Sequence, residues 1–174
     1  MDYVLSFGER NAAYIIAYAM KCAGLNADFS DARNILITDN SFGNAKVNFE
    51  KTNGLIQAQF KTFPESIQIV TGFIGSNAEG LTTTLGRGGS DYTASILAGA
   101  LNAVALEIWT DVDGVLTADP RRVEQAFTVP MLSYKEAMEL SHFGAKVIYP
   151  PTIQPAYIKN IPLVIKLSLI HISE

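Results

Sequence analysis

A glycine-rich stretch between an apolar run and a helical run constrains the fold of this chain most. Residues Gly72–Asp91 read GFIGSNAEGLTTTLGRGGSD and hold six glycines among several serines and threonines. The β-rich run Ile67–Phe73 leads into the stretch, and Ser90–Leu101 leaves it with helical spacing and Ser90 or Asp91 as the predicted cap. Glycine allows close backbone approach, and hydroxyl and free N–H groups donate to phosphate oxygens. The pattern predicts a strand, an anion-binding loop and a helix whose positive end faces that loop.

The type of loop stays open at this point, because a glycine-rich surface loop or hairpin without a ligand has the same composition. Gly75 and Gly80 have the spacing of a P-loop, but Leu81 stands where that motif requires lysine. Gly86–Gly89 lacks the third glycine of a dinucleotide fingerprint. Arg87 is the one cation of the stretch, and its guanidinium can grip a carboxylate or phosphate through two parallel hydrogen bonds.

The rest of the chain alternates short β-rich runs with helical runs, which predicts a three-layer α/β/α sandwich with a mainly parallel sheet. Because ligands in such folds bind outside the carboxyl ends of the strands, we expect Gly72–Gly89 and Thr110–Arg121 to line one cleft. Ser133 with Glu136 forms a predicted capping box. Predicted helices cover Asn11–Ala23, Phe49–Phe60, Ser90–Leu101, Ser133–Phe143 and a segment after Pro151, and predicted strands cover Tyr3–Ser6, Ile35–Thr38, Ile67–Phe73, Val104–Thr110 and Pro162–Lys166.

Composition narrows the classes of protein. Of the 174 residues 48% are apolar and 17% charged, enough for a packed core and too little charge for disorder. A net charge of −4 and a pI near 5.2 argue against nucleic-acid and anionic-membrane partners. Cys22 is the only cysteine, which excludes an internal disulfide, and its apolar helical setting predicts a buried thiol. No apolar run reaches the ~20 residues of a membrane span and no signal-peptide pattern opens the chain, so we expect a cytoplasmic protein.

Three further segments carry charges that suit a ligand. Thr110–Arg121 (TDVDGVLTADPR) follows a buried strand, where its aspartates could orient a ribose or hold Mg²⁺ through water, although Asp113 and Asp119 also suit plain turns. Lys146 in FGAKVIYP could meet a phosphate, or could be a solvated surface lysine. Glu9 in SFGER could receive an ammonium group, or could be a first-turn acid favoured by the helix dipole.

Four motifs, taken in order, resemble those of the aspartate kinases of the amino-acid kinase family, and the resemblance covers about residues 3–166. The motifs are SFGER, GFIG with GLTTTLGRGGSDYTA, TDVDGVLTADPR and FGAKVIYP. The segment MLSYKEAMELSHFGAKVIYPPTIQPA further resembles the form fused to a C-terminal homoserine dehydrogenase, mainly through Tyr149. The resemblance implies the amino-acid kinase fold, ATP and Mg²⁺ as cofactors, and phosphorylation of the side-chain carboxylate of L-aspartate. It also implies a homo-oligomer for the full-length parent.

The resemblance assigns roles to individual residues. Glu9 would bind the amino group of aspartate and Arg87 its α-carboxylate, with Ser90 and Asp91 completing the pocket. Catalytic roles fall to Asp91 and Lys146, and no side chain is assigned as a metal ligand. Leu116 occupies a position that is often aromatic in the family. The residues assigned to phosphate or nucleotide are Gly72, Gly75, Gly88, Gly89, Thr110, Asp111, Asp119, Arg121 and Lys146.

The chain also departs from the family pattern. The Lys-Phe-Gly-Gly strand with which aspartate kinases begin does not precede Met1, and no ACT or dehydrogenase domain follows Lys166. We therefore expect residues 1–166 to be a partial kinase domain, inactive alone, and residues 167–174 to be a foreign tail in which His171 has no role. Two alternatives stay open: another amino-acid kinase, such as a glutamate 5-kinase, and a non-catalytic nucleotide- or amino-acid-binding module. The pairing of Glu9 with Arg87 favours an α-amino acid with a free amine.

Overall fold

The computed structural model describes residues 1–110, 114–118, 122–142 and 149–167, and these alternate between helices and short strands. In this part of the chain no helix combines the length and apolarity needed to cross a bilayer. The elements in chain order are α1 (Asp2–Cys22), β1 (Ala27–Ser30), a 3-10 turn (Ala32–Asn34), α2 (Phe49–Thr62), β2 (Ile67–Val70), β3 (Ile74–Ser76), β4 (Thr82–Thr84), α3 (Gly89–Leu101), β5 (Leu106–Thr110), α4 (Tyr134–His142), α5 (Pro150–Ile158) and β6 (Leu163–Leu167).

The described strands form three two-stranded sheets, two of them parallel. In the first, β1 pairs with β2 from Ala27 opposite Ile67 to Ser30 opposite Val70. In the other parallel sheet, β5 pairs with β6 over the length of both strands. The third sheet is an antiparallel hairpin of β3 and β4. The α/β class is confirmed. The hairpin lies inside the glycine-rich stretch, for which the sequence left open an anion-binding loop and a surface loop or hairpin without a ligand.

Helix α3 lies at the centre of the apolar core. Ile96 and Ala100 pack with Leu36, Ile56 and Ile74 in one buried cluster. Ala98, on another face of the helix, packs with Leu106, Ala156 and Ile161 in a second cluster. Burying each leucine or isoleucine of these clusters is worth about 1.5–3 kcal/mol, so both clusters hold α3 firmly against its neighbours.

The first helix begins earlier than its sequence predicts. Tyr3–Ser6 was expected to be a strand, and that prediction is wrong, because α1 runs unbroken from Asp2. Its buried residues are Asp2, Ser6, Ala13 and Ala17, a spacing that puts one stripe of the helix against the sheet. This stripe outweighs the local β preference of Tyr3 and Val4. Cys22 ends the helix and is exposed, contrary to the buried thiol expected.

Three other local predictions can be compared with the structure: a strand, the cap of α3 and a capping box. Ile35–Thr38 makes only isolated bridges, Ile37 to Ser76 and Thr38 to Val47, while the strand β1 was not predicted. Helix α3 begins at Gly89 and its cap is Gly88, so the predicted caps Ser90 and Asp91 are wrong. The capping box is confirmed, because Ser133 N donates to Glu136 Oε2 at 2.7 Å and Glu136 N donates to Ser133 Oγ at 3.2 Å.

Candidate active site

The turn that joins β2 to β3 holds a strained residue against the start of α3. Phe73 has φ +69°, a conformation that costs a residue other than glycine about 1–3 kcal/mol and that concentrates at functional sites. Its N–H donates to Thr93 Oγ1 at 3.1 Å, and the Thr93 hydroxyl donates to the Gly89 carbonyl at 2.8 Å. The buried Thr93 therefore fixes the turn to the first turn of α3.

Three glycines lie at the contact between the Phe73 turn and the start of α3: Gly72, Gly88 and Gly89. A Cβ added to Gly72 would lie 3.0 Å from Ser90 Oγ, and one added to Gly89 would lie 2.7 Å from the Phe73 ring. Gly88 has φ +68° and starts α3 in the left-handed region, where glycine carries no steric cost. These glycines thus bring the backbone of the turn onto the helix end whose N–H groups and dipole favour an anion.

Two polar side chains stand at the same helix end. Ser90 is exposed and Asp91 is half-buried. Burial raises the pKa of Asp91 above its ordinary value, since water is partly withdrawn from its carboxylate. Both residues lie in the first turn of α3, next to its contact with the Phe73 turn, and their substrate contacts stay predictions.

The loop before α3 reaches the segment that enters α5. Arg87 is exposed, and its guanidinium carbon lies 5.4 Å from the centre of the Tyr149 ring. A Cβ added to Gly88 would lie 2.9 Å from Thr152 Cγ2 and 3.7 Å from Tyr149 Cβ. The structure therefore brings the glycine-rich stretch together with the end of the FGAKVIYP motif. A guanidinium stacked on a ring keeps its N–H edge available for a planar anion.

Glu9 lies two turns into α1, half-buried, and not at a helix start. The alternative that it is a first-turn acid is therefore wrong. The next residue, Arg10, places its Nε 3.5 Å from Asp31 Oδ2, and Asp31 follows the carboxyl end of β1. Strand β1 pairs with β2, whose carboxyl end leads into Gly72. Glu9 thus belongs to a stretch of α1 anchored at the sheet edge that carries the strained turn.

A half-buried ion pair at this edge was not predicted from the sequence. Arg33 donates to Asp31 through Nη2 at 2.6 Å and Nε at 2.9 Å, and its Nη1 donates to Thr82 Oγ1 at 3.1 Å. Burial by itself would raise the pKa of Asp31, but the hydrogen bonds from Arg33 and the charges of Arg33 and Arg10 outweigh it and lower that pKa. The available signal was an Asp-Ala-Arg triplet after a four-residue strand that was itself not predicted.

Of the other residues predicted to bind the nucleotide, the structure describes Gly75 and Thr110. A Cβ added to Gly75 would lie 2.7 Å from the Leu36 carbonyl oxygen, so close packing of β3 accounts for this glycine and its phosphate contact stays a prediction. Thr110 ends β5 opposite Leu167, at the carboxyl end of a parallel pair. Four predicted site residues lie outside the described residues: Asp111, Asp119, Arg121 and Lys146. The cleft that Gly72–Gly89 and Thr110–Arg121 were expected to share therefore stays a prediction.

Leu116 forms an isolated bridge with Thr128. Among the residues that the structure describes, no three His, Cys, Asp or Glu side chains group closely enough to hold a metal ion. The donors at the start of α3 are N–H and hydroxyl groups, which suit anions rather than cations. A magnesium ion that arrives with a nucleotide would take most of its ligands from phosphate oxygens and water.

Comparison with known proteins identifies the family. The amino acid kinase family matches residues 1–166, and the chain belongs to it. Its relatives include aspartokinases of two kinds. The chain is 41% identical over 166 residues to bifunctional aspartokinase/homoserine dehydrogenase 2, chloroplastic, of Arabidopsis thaliana, which covers 95% of this chain and 18% of that protein. It is 40% identical over 163 residues to lysine-sensitive aspartokinase 3 of Escherichia coli (strain K12), covering 93% of this chain and 36% of that protein.

Solved structures agree with these relatives. The crystal structure of E. coli aspartokinase III in complex with aspartate and ADP matches with a TM-score of 0.90 and 39% identity, over 97% of this chain and 38% of that chain. The same enzyme in complex with lysine and aspartate matches with a TM-score of 0.88 and 38% identity, over 98% and 39%. The chain thus spans well under half the length of the proteins it matches. Monofunctional and fused relatives match about equally, so the expected dehydrogenase fusion stays a prediction.

Proposed function

We propose that this chain supplies most of the aspartate- and nucleotide-binding half of an aspartate kinase, which transfers the terminal phosphoryl group of ATP to the side-chain carboxylate of L-aspartate. The observation that carries the proposal is the contact between the strained Phe73 turn and the start of α3, with Arg87 beside it. This arrangement occurs in a fold that matches an aspartokinase solved with aspartate and ADP. The activity, its substrates and any assembly of subunits belong to the whole enzyme.

Recognition of the amino acid would use three side chains at the edge of the sheet. Arg87, stacked on Tyr149, would receive the α-carboxylate through two parallel hydrogen bonds. Glu9 would receive the α-ammonium group, and Ser90 would complete the contacts to the carboxylate. A site of this kind requires a free amine and a free α-carboxylate, so it disfavours acetylated amino acids and carbamate.

Phosphoryl transfer would need little covalent help from the protein. The side-chain carboxylate of aspartate is already ionised at neutral pH and needs no general base. One of its oxygens forms a bond to the γ-phosphorus while the bond from that phosphorus to the β–γ bridging oxygen breaks, which releases ADP. The chain would contribute alignment and the N–H donors at the start of α3, which neutralise charge on the phosphoryl oxygens. Magnesium, when bound, adds further neutralisation, and Lys146 is proposed to contact the phosphates.

Two measurements test the proposal. The first is calorimetric binding of L-aspartate and of ADP to the 174-residue chain. The second is phosphoryl transfer by an exchanged enzyme, in which residues 1–166 replace the matching segment of E. coli lysine-sensitive aspartokinase 3. We expect the exchanged enzyme to phosphorylate L-aspartate and to reject N-acetyl-aspartate. Turnover of L-glutamate in preference to aspartate would instead support another amino-acid kinase, and nucleotide binding without turnover would support a non-catalytic module.

A further inference from the structure

Asp2 is a buried carboxylate whose hydrogen bonds reach far along the sequence. It opens α1 and is only 7% exposed. One oxygen, Oδ2, accepts all three of its hydrogen bonds: from Gly43 N at 2.8 Å, from Thr84 N at 2.9 Å and from Thr84 Oγ1 at 3.1 Å. A buried side chain held by three donors is fixed in position far more tightly than an exposed acid at a helix start.

The three donors lie at the base of the loop that carries Arg87. Thr84 ends β4, three residues before Arg87. The segment that contains Gly43 packs on the same loop, since a Cβ added to Gly86 would lie 2.8 Å from Asn44 Oδ1 and 3.1 Å from the Gly43 carbonyl oxygen. The backbone N–H of Ala45 also donates to the Thr84 carbonyl at 2.9 Å. Asp2 therefore joins both supports of the Arg87 loop to one end of α1.

The same helix carries Glu9. Asp2 and Glu9 are seven positions apart in an unbroken helix, which puts their backbones about 10 Å apart along its axis, two turns away on the same side. The ion pair of Arg10 with Asp31 anchors the helix beside Glu9 at the second position. Through these two anchors, a rigid element connects the base of the Arg87 loop with the carboxylate proposed to receive the ammonium group.

We infer that Asp2 is a positioning residue that fixes the Arg87 loop relative to Glu9, and so sets the spacing with which the site measures the α-carboxylate and α-ammonium groups of its substrate. The inference rests on the proposed function. Asp2 itself contacts neither group and acts only through Thr84, Gly43 and the helix. A purely structural role would lower stability and weaken every activity together, whereas a positioning role weakens recognition of the amino acid selectively.

The test compares three substitutions in the exchanged enzyme. Asp2→Ala leaves the N–H groups of Gly43 and Thr84 without their acceptor. Asp2→Asn keeps an oxygen in place that can accept the same bonds and serves as the conservative rescue. Ile56→Ala removes a fully buried side chain in α2, a helix that carries none of the proposed site residues, and serves as the control for a loss of stability. For each variant, KM for aspartate, KM for ATP, kcat and the thermal midpoint are measured.

We expect Asp2→Ala to raise KM for aspartate about tenfold or more while KM for ATP changes less than about twofold, because misplacement near a site weakens the contacts it supports. Asp2→Asn should recover most of that loss. Ile56→Ala should lower the thermal midpoint without a selective effect on aspartate. Equal rises in both KM values for Asp2→Ala, or the same selectivity in Ile56→Ala, would overturn the inference. If Asp2→Ala does not fold, Asp2→Asn is the test. It should raise KM for aspartate by less than about tenfold and leave KM for ATP unchanged, and an unchanged KM for aspartate would overturn the inference.

The outcome separates this inference from the proposed function. An unsubstituted exchanged enzyme that fails to phosphorylate aspartate overturns the proposed function, and the positioning role falls with it. An active exchanged enzyme in which the Asp2 variants lose no selectivity for aspartate keeps the function and overturns only the role of Asp2.

Discussion

The two halves of the glycine-rich stretch have similar compositions and different tasks. The first half folds into the β3–β4 hairpin, whose strand residues are all buried, including Gly75 and the hydroxyl residues Thr82–Thr84. The second half, from Gly86 to Ser90, stays open to solvent at Arg87 and Ser90 and starts α3. Glycine in the hairpin permits strand packing, whereas glycine in the second half shapes a helix end that can receive an anion. Richness in glycine therefore does not by itself locate a ligand contact.

The largest effect should come from the second half. Arg87→Ala removes a guanidinium proposed to hold the α-carboxylate through a bidentate, charge-assisted contact worth about 1.5–3 kcal/mol in all. We expect KM for aspartate in the exchanged enzyme to rise by roughly 10–150-fold, with KM for ATP nearly unchanged. Steady-state kinetics with each substrate varied in turn measures this. Equal effects on both would move Arg87 to the phosphate side of the site.

The hairpin half should respond in stability instead. Gly75→Ala drives a methyl group to within 2.7 Å of the Leu36 backbone oxygen, and overpacking of this kind costs about 1–3 kcal/mol. Chemical denaturation measures the loss, with Gly54→Ala in α2 as the matched control. Gly54 has open space around it and is helical, so its substitution should stabilise the chain by about 0.5–1 kcal/mol. A Gly75→Ala protein of full stability that has lost nucleotide affinity would instead assign Gly75 to the site.

Thr93 connects the two halves, because its hydroxyl binds both the Phe73 turn and the start of α3. Thr93→Val keeps the shape of the side chain and leaves the Phe73 N–H without its partner, at a cost of about 1–3 kcal/mol. Thr93→Ser keeps the hydroxyl and should recover most of the stability. Denaturation curves and calorimetric affinity for ADP, taken together, check whether the turn loosens as the stability falls. Identical behaviour of the Val and Ser variants would show that the hydroxyl is dispensable.

The smallest effect concerns the ion pair that ties the hairpin to β1. Folding lowers the pKa of Asp31 from its ordinary value of 3.8, so its stabilising contribution is present above that value and is lost as the pH falls through the lower pKa of the folded state. The thermal midpoint of the natural chain should exceed that of Asp31→Asn by a few degrees near pH 6, and the gap should shrink below about pH 4. A gap that stays constant down to about pH 2 would show that proton binding at Asp31 does not matter.

The sequence predicted correctly those features of the fold that depend on residues close together in the chain. The helix of α3, the strand β2 and the Ser133–Glu136 capping box each depend on residues a few positions apart, and the sequence located all three. The hydrogen bond from Thr84 to Asp2 joins residues that are 82 positions apart, and no local pattern signals it. The early start of α1 depends on burial of one helix face against the sheet, which also lies outside any short window. The site residues are predicted from motifs, whereas the contacts that hold their loops in place are visible only in the structure.

Helix α3 has a consequence for how the chain unfolds. Its side chains belong to both apolar clusters, through Ile96 and Ala100 on one side and Ala98 on the other. Neither cluster can open without exposing a face of this helix, so the described residues should unfold as one cooperative unit rather than as two. An anion that orders the first turn of α3 would then slow amide exchange on both sides of the helix. Occupancy of the proposed site and the stability of the described residues would for this reason be coupled through a single segment of thirteen residues.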